Sequence, residues 1–416
     1  MLDRHGLEMH GEGSRVVDFD RGFEFLGHLF VRSMTLKRVA DPEEEALEAM
    51  RGLAARDAAK AEEVRAAEVL EEDELARGYD RGQRILHVVG AGRRLALRNL
   101  SFTVTGEDSR ELLAIAHTRV DRIELGPGAE VETEAIRHAL ASDTDFAFVN
   151  GEGETLGWLS PPSFRRAGLH LAQAKVALDS ALAADLARRI VEGRLRNERA
   201  QLHRLNRRVS DPEVIVATKT LGRMIRKLPE ARDVDALRGA EGAAGAIYWP
   251  ALGRLAAVAP QPFRRLRPAG DPLNATINYL TALLARDIRA ALLSRGLHPG
   301  IGALHAASDR GEACVWDLME GFRAPLTEGL AVSLFNQGRL DADMFSGRED
   351  GTMWIGPEAR RAIIEGYETA AARRLKSPHS GRKRSWRVLM EEEAGAYGAH
   401  CRAPKSQPFQ PQVIDH

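Results

Sequence analysis

An imidazole and two carboxylates occur close together near residues 300–323. His305 ends the run Gly-Ile-Gly-Ala-Leu-His, and Asp317 and Glu320 lie in Trp-Asp-Leu-Met-Glu-Gly-Phe-Arg, which has a helical pattern. Residues three apart on a helix share a face, so Glu320 is flanked by Asp317 and by Arg323. Such donors suit a divalent ion such as Mg²⁺ or Mn²⁺. Glu241, the only acid in a segment of small residues, is a third anchor, and the set predicts a metal site for phosphodiester chemistry.

Each of these residues also has a purely structural interpretation. A histidine by itself is more often a hydrogen-bonded structural residue than a ligand, Glu241 alone caps or solvates a helix, and Glu320 alone pairs with its neighbouring arginine. Asp317 is either an alternative ligand or an acceptor that orients a ligand or a water molecule. The metal interpretation therefore depends on the joint occurrence of these residues within an ordered series of motifs.

That series of motifs resembles one protein family. Glu-Gly-Ala-Ala begins at Glu241, Gly-Asp-Pro-Leu-Asn-Ala-Thr-Ile-Asn-Tyr spans residues 270–279, Leu-His ends at His305, and Asp-Leu-Met-Glu-Gly-Phe-Arg begins at Asp317. In order and spacing they are similar to the CRISPR adaptation integrases of the Cas1 family. The resemblance implies that Glu241, His305 and Glu320 bind the metal ion and that Asp317 is a further catalytic candidate.

The resemblance covers roughly residues 85–411 and implies a function. It implies CRISPR spacer acquisition by a metal-dependent DNA endonuclease and integrase, which joins prespacer 3′ ends to the CRISPR repeat by transesterification. The implied cofactor is Mg²⁺ or Mn²⁺. The implied partners are a second copy of the chain, the small adaptation protein Cas2, double-stranded prespacer DNA and repeat DNA. Two alternatives stay open: a catalytically silent DNA-binding scaffold, or the integrase half of a split reverse transcriptase system that captures RNA-derived spacers.

The charge of the chain is unevenly distributed. Its formal net charge is −1, yet acids concentrate in residues 41–74 and eight arginines fall within residues 188–208. Phosphate binding depends on local basic density rather than on the total, although each basic cluster is also consistent with a solvated helix face. The predicted DNA-binding residues are Arg188, Arg189, Arg196, Arg199, Arg264, Arg267 and Arg323.

Composition also bears on redox environment and location. The only cysteines are Cys314 and Cys401, so neither a disulfide framework nor a cysteine-rich zinc site is expected. The sequence contains no apolar run long enough for a membrane span and no signal-peptide segment at its start. We therefore expect a cytoplasmic protein that does not contact a membrane.

The pattern of apolar residues predicts an α+β fold, with a small amino-terminal β-rich domain before a larger all-α catalytic domain. Residues 1–38 resemble the end of a reverse transcriptase palm, and residues 39–82 are predicted to form a charged helical linker. Residues 83–160 are predicted to form a β-rich domain, which the resemblance links to dimerisation. Residues 161–376 are the predicted α-helical catalytic domain, and residues 377–416 a basic helix followed by a flexible tail rich in proline and glutamine.

Residues 1–38 have two interpretations. They lack the aspartate pair that a polymerase palm needs for its metal ions, so they predict no polymerase activity. Their short apolar run is either a vestige or a strand that docks a separately encoded reverse transcriptase by strand pairing.

Local signals set several element boundaries. A short helix is expected over Thr133–Ala141, between short strands. Asp271 followed by Pro272 predicts a helix start, because an acid caps the helix and proline suits its first position. Pro325 predicts the end or a kink of the Glu320 helix soon after Arg323.

Overall fold

The fold is described from a computed structural model. It describes residues 23–25, 28–30, 85–142, 144–159, 167–309 and 311–414. The predicted linker 39–82 and most of the predicted reverse-transcriptase-like segment 1–38 lie outside the described residues. Within the latter, β1 (Phe23–Phe25) and β2 (His28–Phe30) pair antiparallel, and the backbone of β2 lies beside the strand that begins at Ile85.

The segment 85–159 forms two sheets and one helix. The first sheet has the order β10-β9-β7-β3, in which β3, β7 and β9 run parallel and β10 is antiparallel to β9. The second has the order β6-β5-β4-β8, in which only β4 and β8 are parallel. The elements are β3 (Ile85–Val88), β4 (Arg94–Arg98), β5 (Ser101–Thr105), β6 (Glu111–Ala116), β7 (Arg122–Leu125), β8 (Glu130–Val131), α1 (Thr133–Ala141), β9 (Asp145–Val149) and β10 (Thr155–Leu159).

A separate apolar core holds this β-rich region together. Phe102 and Val104 of β5, Ile123 of β7 and Phe146 of β9 are fully buried in it. The helix predicted over Thr133–Ala141 is confirmed. The sequence interpretation did not include β5, β8 and β10, because these short strands are defined by their pairing partners rather than by a strong apolar pattern of their own.

The rest of the chain is mainly helical around a second and larger core. Its helices are α2 (Ala167–Leu178), α3 (Ser180–Asn206), α4 (Pro212–Lys227), α5 (Val234–Arg254), α6 (Pro272–Ser294), α7 (Ala313–Arg323), α8 (Gly329–Asn336), α9 (Pro357–Ala371) and α10 (Trp386–Arg402). In the described part of the chain, no helix is both long and apolar enough to cross a bilayer.

Both predicted helix boundaries are confirmed. The side chain of Asp271 accepts a hydrogen bond from the backbone nitrogen of Asn274 at 2.8 Å, and Pro272 occupies the first position of α6. The helix that carries Glu320 changes to a π-helical turn over Ala324–Glu328, which includes Pro325, before α8 continues. Proline lacks the amide hydrogen that a regular α-helix requires at this point.

Two expectations for the helical region need correction. The region expected to be all-α also contains two antiparallel hairpins, β11 (Phe345–Gly347) with β12 (Met353–Ile355) and β13 (Arg374–Lys376) with β14 (Lys383–Ser385). These hairpins are three residues a side, too short for sequence periodicity to distinguish them from loops.

The second correction concerns the tail after α10, which was expected to be flexible. Phe409 is buried, and the backbone nitrogen of Ile414 donates to Asn197 Oδ1 at 2.8 Å. The backbone nitrogen of Gln412 donates to Glu393 Oε2 at 3.0 Å. The described part of the tail is therefore fixed by tertiary contacts with α3 and α10, which its proline- and glutamine-rich composition does not reveal.

Buried ion pairs join the β-rich region to the helices. Arg122 Nη2 of β7 donates to Asp287 Oδ1 of α6 at 2.5 Å, and Arg286 Nε of α6 donates to Glu124 Oε1 of β7 at 2.9 Å. Arg387 Nε of α10 donates to the other oxygen of Asp287 at 2.6 Å. Because removing one partner would leave a buried charge without compensation, these pairs strongly disfavour separation of the two regions.

His87 of β3 belongs to the same ionic cluster. Its Nδ1 lies 3.1 Å from Glu124 Oε2 and its Nε2 lies 3.5 Å from Glu368 Oε1 of α9. Burial by itself lowers the pKa of His87, but the two carboxylates outweigh burial, and the pKa lies above its usual value of 6.5. The imidazolium form therefore stabilises the folded state, and this contribution is lost as the pH rises through the folded-state pKa.

We predict that His87→Gln lowers stability by about 3 kcal/mol near pH 6, because it removes one member of a buried ionic group. The difference in melting temperature between wild type and variant should be largest at pH 6 and should shrink as the pH rises above the folded-state pKa. Thermal unfolding at several pH values measures it, with His203→Gln, at an exposed position on α3, as the control. A difference that grows with rising pH would contradict the assignment.

Candidate metal centre

Three helices and one loop bring the predicted site residues together. Glu241 lies on α5, Glu320 lies on α7, and His305 lies in the loop that precedes α7. The long helix α3 passes behind them and contributes Arg194, whose side chain is almost completely buried. Residues that are separated by up to 126 positions along the chain thus converge on one guanidinium group.

Arg194 bridges the two glutamates. A single nitrogen, Nη1, donates to Glu241 Oε1 and to Glu320 Oε2. Its Nε donates to Glu198 Oε1, one turn further along α3, at 2.9 Å. The other oxygen of Glu320 accepts from Arg323 Nη1 at 3.1 Å. The two predicted metal-binding carboxylates therefore converge on one cationic nitrogen.

Asp317 fixes the position of His305. Its carboxylate accepts hydrogen bonds from the backbone nitrogens of Ala303, Leu304 and His305, at 2.5, 3.0 and 2.8 Å. The imidazole Nδ1 of His305 lies 2.8 Å from Asp317 Oδ1. Because all these groups surround one buried carboxylate, Asp317 orients the loop and the imidazole rather than facing the cleft.

This arrangement leaves the second imidazole nitrogen available. With Nδ1 donating to the Asp317 carboxylate, Nε2 carries the lone pair, and it lies 4.0 Å from Glu320 Oε1. Gly302 makes the close packing of the loop possible, since a Cβ there would lie 2.8 Å from both Ala313 O and Asp317 Oδ2. The second glycine of the Gly-Ile-Gly-Ala-Leu-His run is therefore required because a larger residue would collide with α7.

The electrostatic environment favours an ionised Glu320. Burial by itself raises the pKa of this carboxyl, but the guanidinium groups of Arg194 and Arg323 outweigh burial and hold the pKa below its usual value. For His305, burial lowers the pKa, and the hydrogen bond and charge of Asp317 raise it above the usual value. Burial also raises the pKa of Glu198, to about 7, against the opposing effect of Arg194.

The donor set fits a divalent ion in its chemistry. One oxygen each of Glu241 and Glu320 binds Arg194 Nη1, and His305 Nε2, with its free lone pair, lies 4.0 Å from the other oxygen of Glu320. Carboxylate oxygens and an imidazole nitrogen are common ligands of divalent ions. The side chains of Glu241 and His305 are 22% and 34% exposed, whereas that of Glu320 is 2% exposed, so the site opens to solvent on the side of the first two. Among the described residues, no group of three or more His, Cys, Asp or Glu side chains is arranged so that it could hold a metal ion. Arg194 is bound to both glutamates in this arrangement.

Positive charge surrounds the same site. The pKa of Arg267 is lowered by burial and then by the charge of Arg323, and the pKa of Arg265 is lowered to about 9 by burial and by Arg267 and Arg323. Arg265 is held by Asn274 Oδ1 at 2.9 Å and by Asn278 Oδ1 at 2.5 Å. Three arginines therefore crowd together beside Glu320, an arrangement that an anionic ligand would relieve.

The arginines predicted to bind DNA have different environments. Arg188 and Arg189 both pair with Asp185, and Arg196 pairs with Glu192. Arg323 is partly buried and pairs with Glu320 and Glu328, at 3.1 and 3.4 Å, so it is not part of a free basic surface.

Three other predicted positions are less engaged. Arg199, Arg264 and Arg267 form no side-chain hydrogen bond or ion pair within the residues that the structure describes, so they are the members of the predicted set with free donors. The pKa of Arg204 is lowered by desolvation and by the charges of Arg373, which follows α9, and Arg207, which follows α3.

Sequence reasoning missed three residues of the site: Arg194, Glu198 and Glu328. Arg194 was counted only as one of eight arginines, although its neighbour Leu195 and Val191, one turn earlier on α3, are fully buried. A basic residue on the apolar face of a helix is the signal that distinguishes it, because a buried charge requires partners.

Comparisons with known proteins agree with this geometry. Residues 86–369 match the profile of the family described as "CRISPR associated protein Cas1". A protein named "CRISPR-associated endonuclease Cas1 1" from Thermus thermophilus is 32% identical over 305 residues, covering 72% of this chain and 90% of that protein. A Cas4/Cas1 fusion from Rhodospirillum rubrum is 30% identical over 302 residues, which cover 71% of this chain and 51% of the fusion.

Solved structures show the same fold at low sequence identity. A casposase bound to its integration product has a TM-score of 0.67 at 20% identity, over 80% of this chain and 96% of the casposase. A Cas6-RT-Cas1–Cas2 complex has a TM-score of 0.68 at 21% identity, over 81% of this chain and 37% of the matched chain. The family profile and the Thermus thermophilus relative place the chain among CRISPR-associated proteins. It belongs to the Cas1 family.

We predict that Asp317→Ala lowers stability by about 3 kcal/mol, because it leaves three backbone amides and an imidazole without their acceptor. The variant should also lose the fixed Nδ1-protonated tautomer of His305. Thermal unfolding and ¹⁵N chemical shifts of the neutral imidazole measure the two effects, with the exposed Asp309→Ala as the control. An unchanged tautomer in Asp317→Ala would show that Asp317 does not position His305.

Proposed function

We propose that this chain is a CRISPR spacer-acquisition enzyme, a metal-dependent DNA endonuclease and integrase that joins prespacer 3′ ends to the CRISPR repeat. The observation that carries the proposal is the convergence of Glu241 and Glu320 on one cationic nitrogen, with His305 Nε2 4.0 Å from Glu320. The name of the Thermus thermophilus relative, an endonuclease, and the fold shared with a casposase support the same reaction class.

The proposed chemistry is phosphodiester transesterification. The 3′ hydroxyl oxygen of a prespacer strand forms a new bond to a phosphorus atom at the edge of the repeat, and the bond from that phosphorus to its 3′ oxygen breaks. Water as the nucleophile gives nicking instead. Glu241, His305 and Glu320 would hold Mg²⁺ or Mn²⁺, which when bound supplies polarisation of the phosphoryl oxygen and stabilisation of the leaving oxygen.

The remaining residues of the site have positioning roles in this proposal. Asp317 holds the imidazole of His305 in the tautomer whose Nε2 has a lone pair available for a metal ion. Arg267 lies beside the metal-binding residues without an ion pair inside the described segments, and its guanidinium suits a phosphate oxygen. The crowding of Arg265, Arg267 and Arg323 lowers the pKa of the first two, and a phosphate at this place would relieve the repulsion.

DNA binding is proposed for basic residues that are free of carboxylate partners in the described structure. Arg199 of α3 forms no ion pair in the described structure with the acids that neutralise Arg188, Arg189 and Arg196, and Arg204 and Arg207 repel each other electrostatically. Arginine contacts to phosphates bind the backbone without reading base sequence, which suits an enzyme that accepts DNA of arbitrary sequence.

The partners are also proposals. Cas2 and DNA are supported as partners by the fold shared with a Cas6-RT-Cas1–Cas2 complex and with a casposase bound to integration product. The homodimer, and the prespacer and repeat as the DNA, are proposed from the family resemblance alone. The same complex favours a second candidate function, the integrase half of a reverse transcriptase system. A catalytically silent scaffold is less consistent with the complete set of metal-ligating residues. Action on genomic arrays would place the protein in the cytoplasm.

We predict that Glu241→Gln, His305→Ala and Glu320→Gln each lower Mn²⁺-dependent strand transfer by at least about a thousandfold, because each removes a metal ligand, while prespacer affinity changes by less than about threefold. Strand transfer is measured by joining of a labelled prespacer to a plasmid that carries the repeat. Glu213→Gln, at an exposed carboxylate on α4, is the matched control and should retain activity. Activity retained in any two of the three variants would contradict the proposed site.

We predict that Arg267→Gln and Arg199→Gln each weaken prespacer binding for all sequences alike and reduce the slope of log affinity against log salt by about one, as expected for the loss of one phosphate contact. Arg188→Gln is the matched control, because Arg188 already pairs with Asp185. Fluorescence anisotropy at several salt concentrations measures the affinities. A loss confined to particular sequences would indicate base readout and would contradict backbone binding.

A further inference from the structure

Arg194 occupies an unusual position for a buried arginine. One of its nitrogens contacts both Glu241 and Glu320, which are the carboxylates that the proposed function assigns to the metal ion. A guanidinium and a divalent ion compete for the same lone pairs, because both are cations that neutralise the same two oxygens. The proposed site therefore contains an internal cation that must share or release its carboxylates.

A second pair of carboxylates, Glu198 and Glu328, also interacts with Arg194. Glu198 accepts from Arg194 Nε through Oε1, while its Oε2 is buried and accepts no hydrogen bond within the described chain. Glu328, from the π-helical turn after α7, interacts electrostatically with both Arg194 and Glu198. Its Oε1 lies 3.4 Å from Arg323 Nε, and its carboxylate interacts with the Tyr248 hydroxyl.

Neither oxygen of Glu328 accepts a well-formed hydrogen bond from the residues that the structure describes. The ion pair of Oε1 with Arg323 offsets part of the cost of burying this carboxylate, but buried oxygens without hydrogen bonds are still costly. The Glu328 carboxylate interacts with Arg194, whose Nη1 is bound to Glu241 and Glu320. Arg194 thus lies between two pairs of carboxylates: an outer pair, Glu241 and Glu320, and an inner pair, Glu198 and Glu328, which retains buried oxygens without hydrogen bonds.

We propose that Arg194 holds the metal-ligating carboxylates in the metal-free protein and shifts onto Glu198 and Glu328 when Glu241 and Glu320 take a divalent ion. The inference rests on the proposed function, because it assumes that these carboxylates are metal ligands. It adds a specific consequence: the affinity of the site for the ion is set by an exchange between two cations. Arg194 is in this sense a positioning residue and not a catalytic one.

The exchange has a physical advantage for folding. Glu241, Glu320 and Glu198 would otherwise place three carboxylates around one buried point, and their mutual repulsion would open the helices α3, α5 and α7. Arg194 compensates these charges before the ion arrives. After the exchange, the inner pair Glu198 and Glu328 gains donors that it lacks in the metal-free protein, while the divalent ion compensates Glu241 and Glu320.

The test uses the full chain and Mn²⁺ as the probe, with binding followed by loss of the electron paramagnetic resonance signal of free Mn²⁺. We expect Arg194→Gln to bind Mn²⁺ about tenfold more tightly than wild type, a coupling in the usual range for two linked sites. Arg323→Gln is the matched control. It removes an equal charge from a guanidinium that lies 3.1 Å from Glu320 but that does not bridge Glu320 to Glu241. Equal gains in the two variants, or no gain in Arg194→Gln, would overturn the proposal in favour of general electrostatics.

A second variant and a structure keep the test decisive if Arg194→Gln fails to fold. Glu198→Gln weakens the inner position, so Arg194 should remain on the ligands and Mn²⁺ affinity should fall about tenfold. Crystals of wild type with and without Mn²⁺ should show Arg194 moving from Glu241 and Glu320 towards Glu198 and Glu328. An Mn²⁺-bound site in which Arg194 still contacts Glu241 and Glu320 would overturn the inference.

The same measurements separate this inference from the proposed function. If wild type binds Mn²⁺ and Glu320→Gln does not, the metal site exists, and the Arg194 variants then decide the exchange alone. If wild type and Glu320→Gln take up Mn²⁺ equally, the metal assignment itself fails, and the exchange fails with it.

Discussion

The helical region that holds the candidate site depends on charge compensation around Arg194. One guanidinium on α3 neutralises carboxylates from α3, α5 and α7, and it is almost completely buried. Without it, the negative charges of Glu198, Glu241 and Glu320 would repel one another in a region from which water is largely excluded. The packing of these three helices and the geometry of the site are therefore consequences of the same interaction.

A second set of buried charges fixes the β-rich region against the helices. Arg122, Glu124 and His87 on the sheet interact with Asp287, Arg286, Arg387 and Glu368 on α6, α9 and α10. Arg286 additionally donates to the backbone oxygen of Gly153 in the turn before β10. Buried ion pairs are geometrically demanding, so they specify one relative arrangement of the two regions more strictly than apolar contacts would.

The site combines a rigid part and a solvent-facing part. Asp317 binds three consecutive backbone amides and the imidazole, which leaves His305 little freedom to rotate. Glu241 lies on α5 and is partly exposed, as is His305, so a ligand can reach these two side chains from solvent while the buried charges behind them stay compensated.

The sequence by itself determined the identity of the candidate ligands and many of the element boundaries. Glu241, His305 and Glu320 stand in motifs that can be read directly, and the caps at Asp271 and the break at Pro325 act within a few residues. Tertiary structure alone decided that Asp317 faces backwards into the loop, that Arg194 bridges the two glutamates, and that the tail after α10 is held by Asn197. The reason is physical: these contacts join residues that are far apart in the chain, and local patterns carry no information about which distant charge lies opposite.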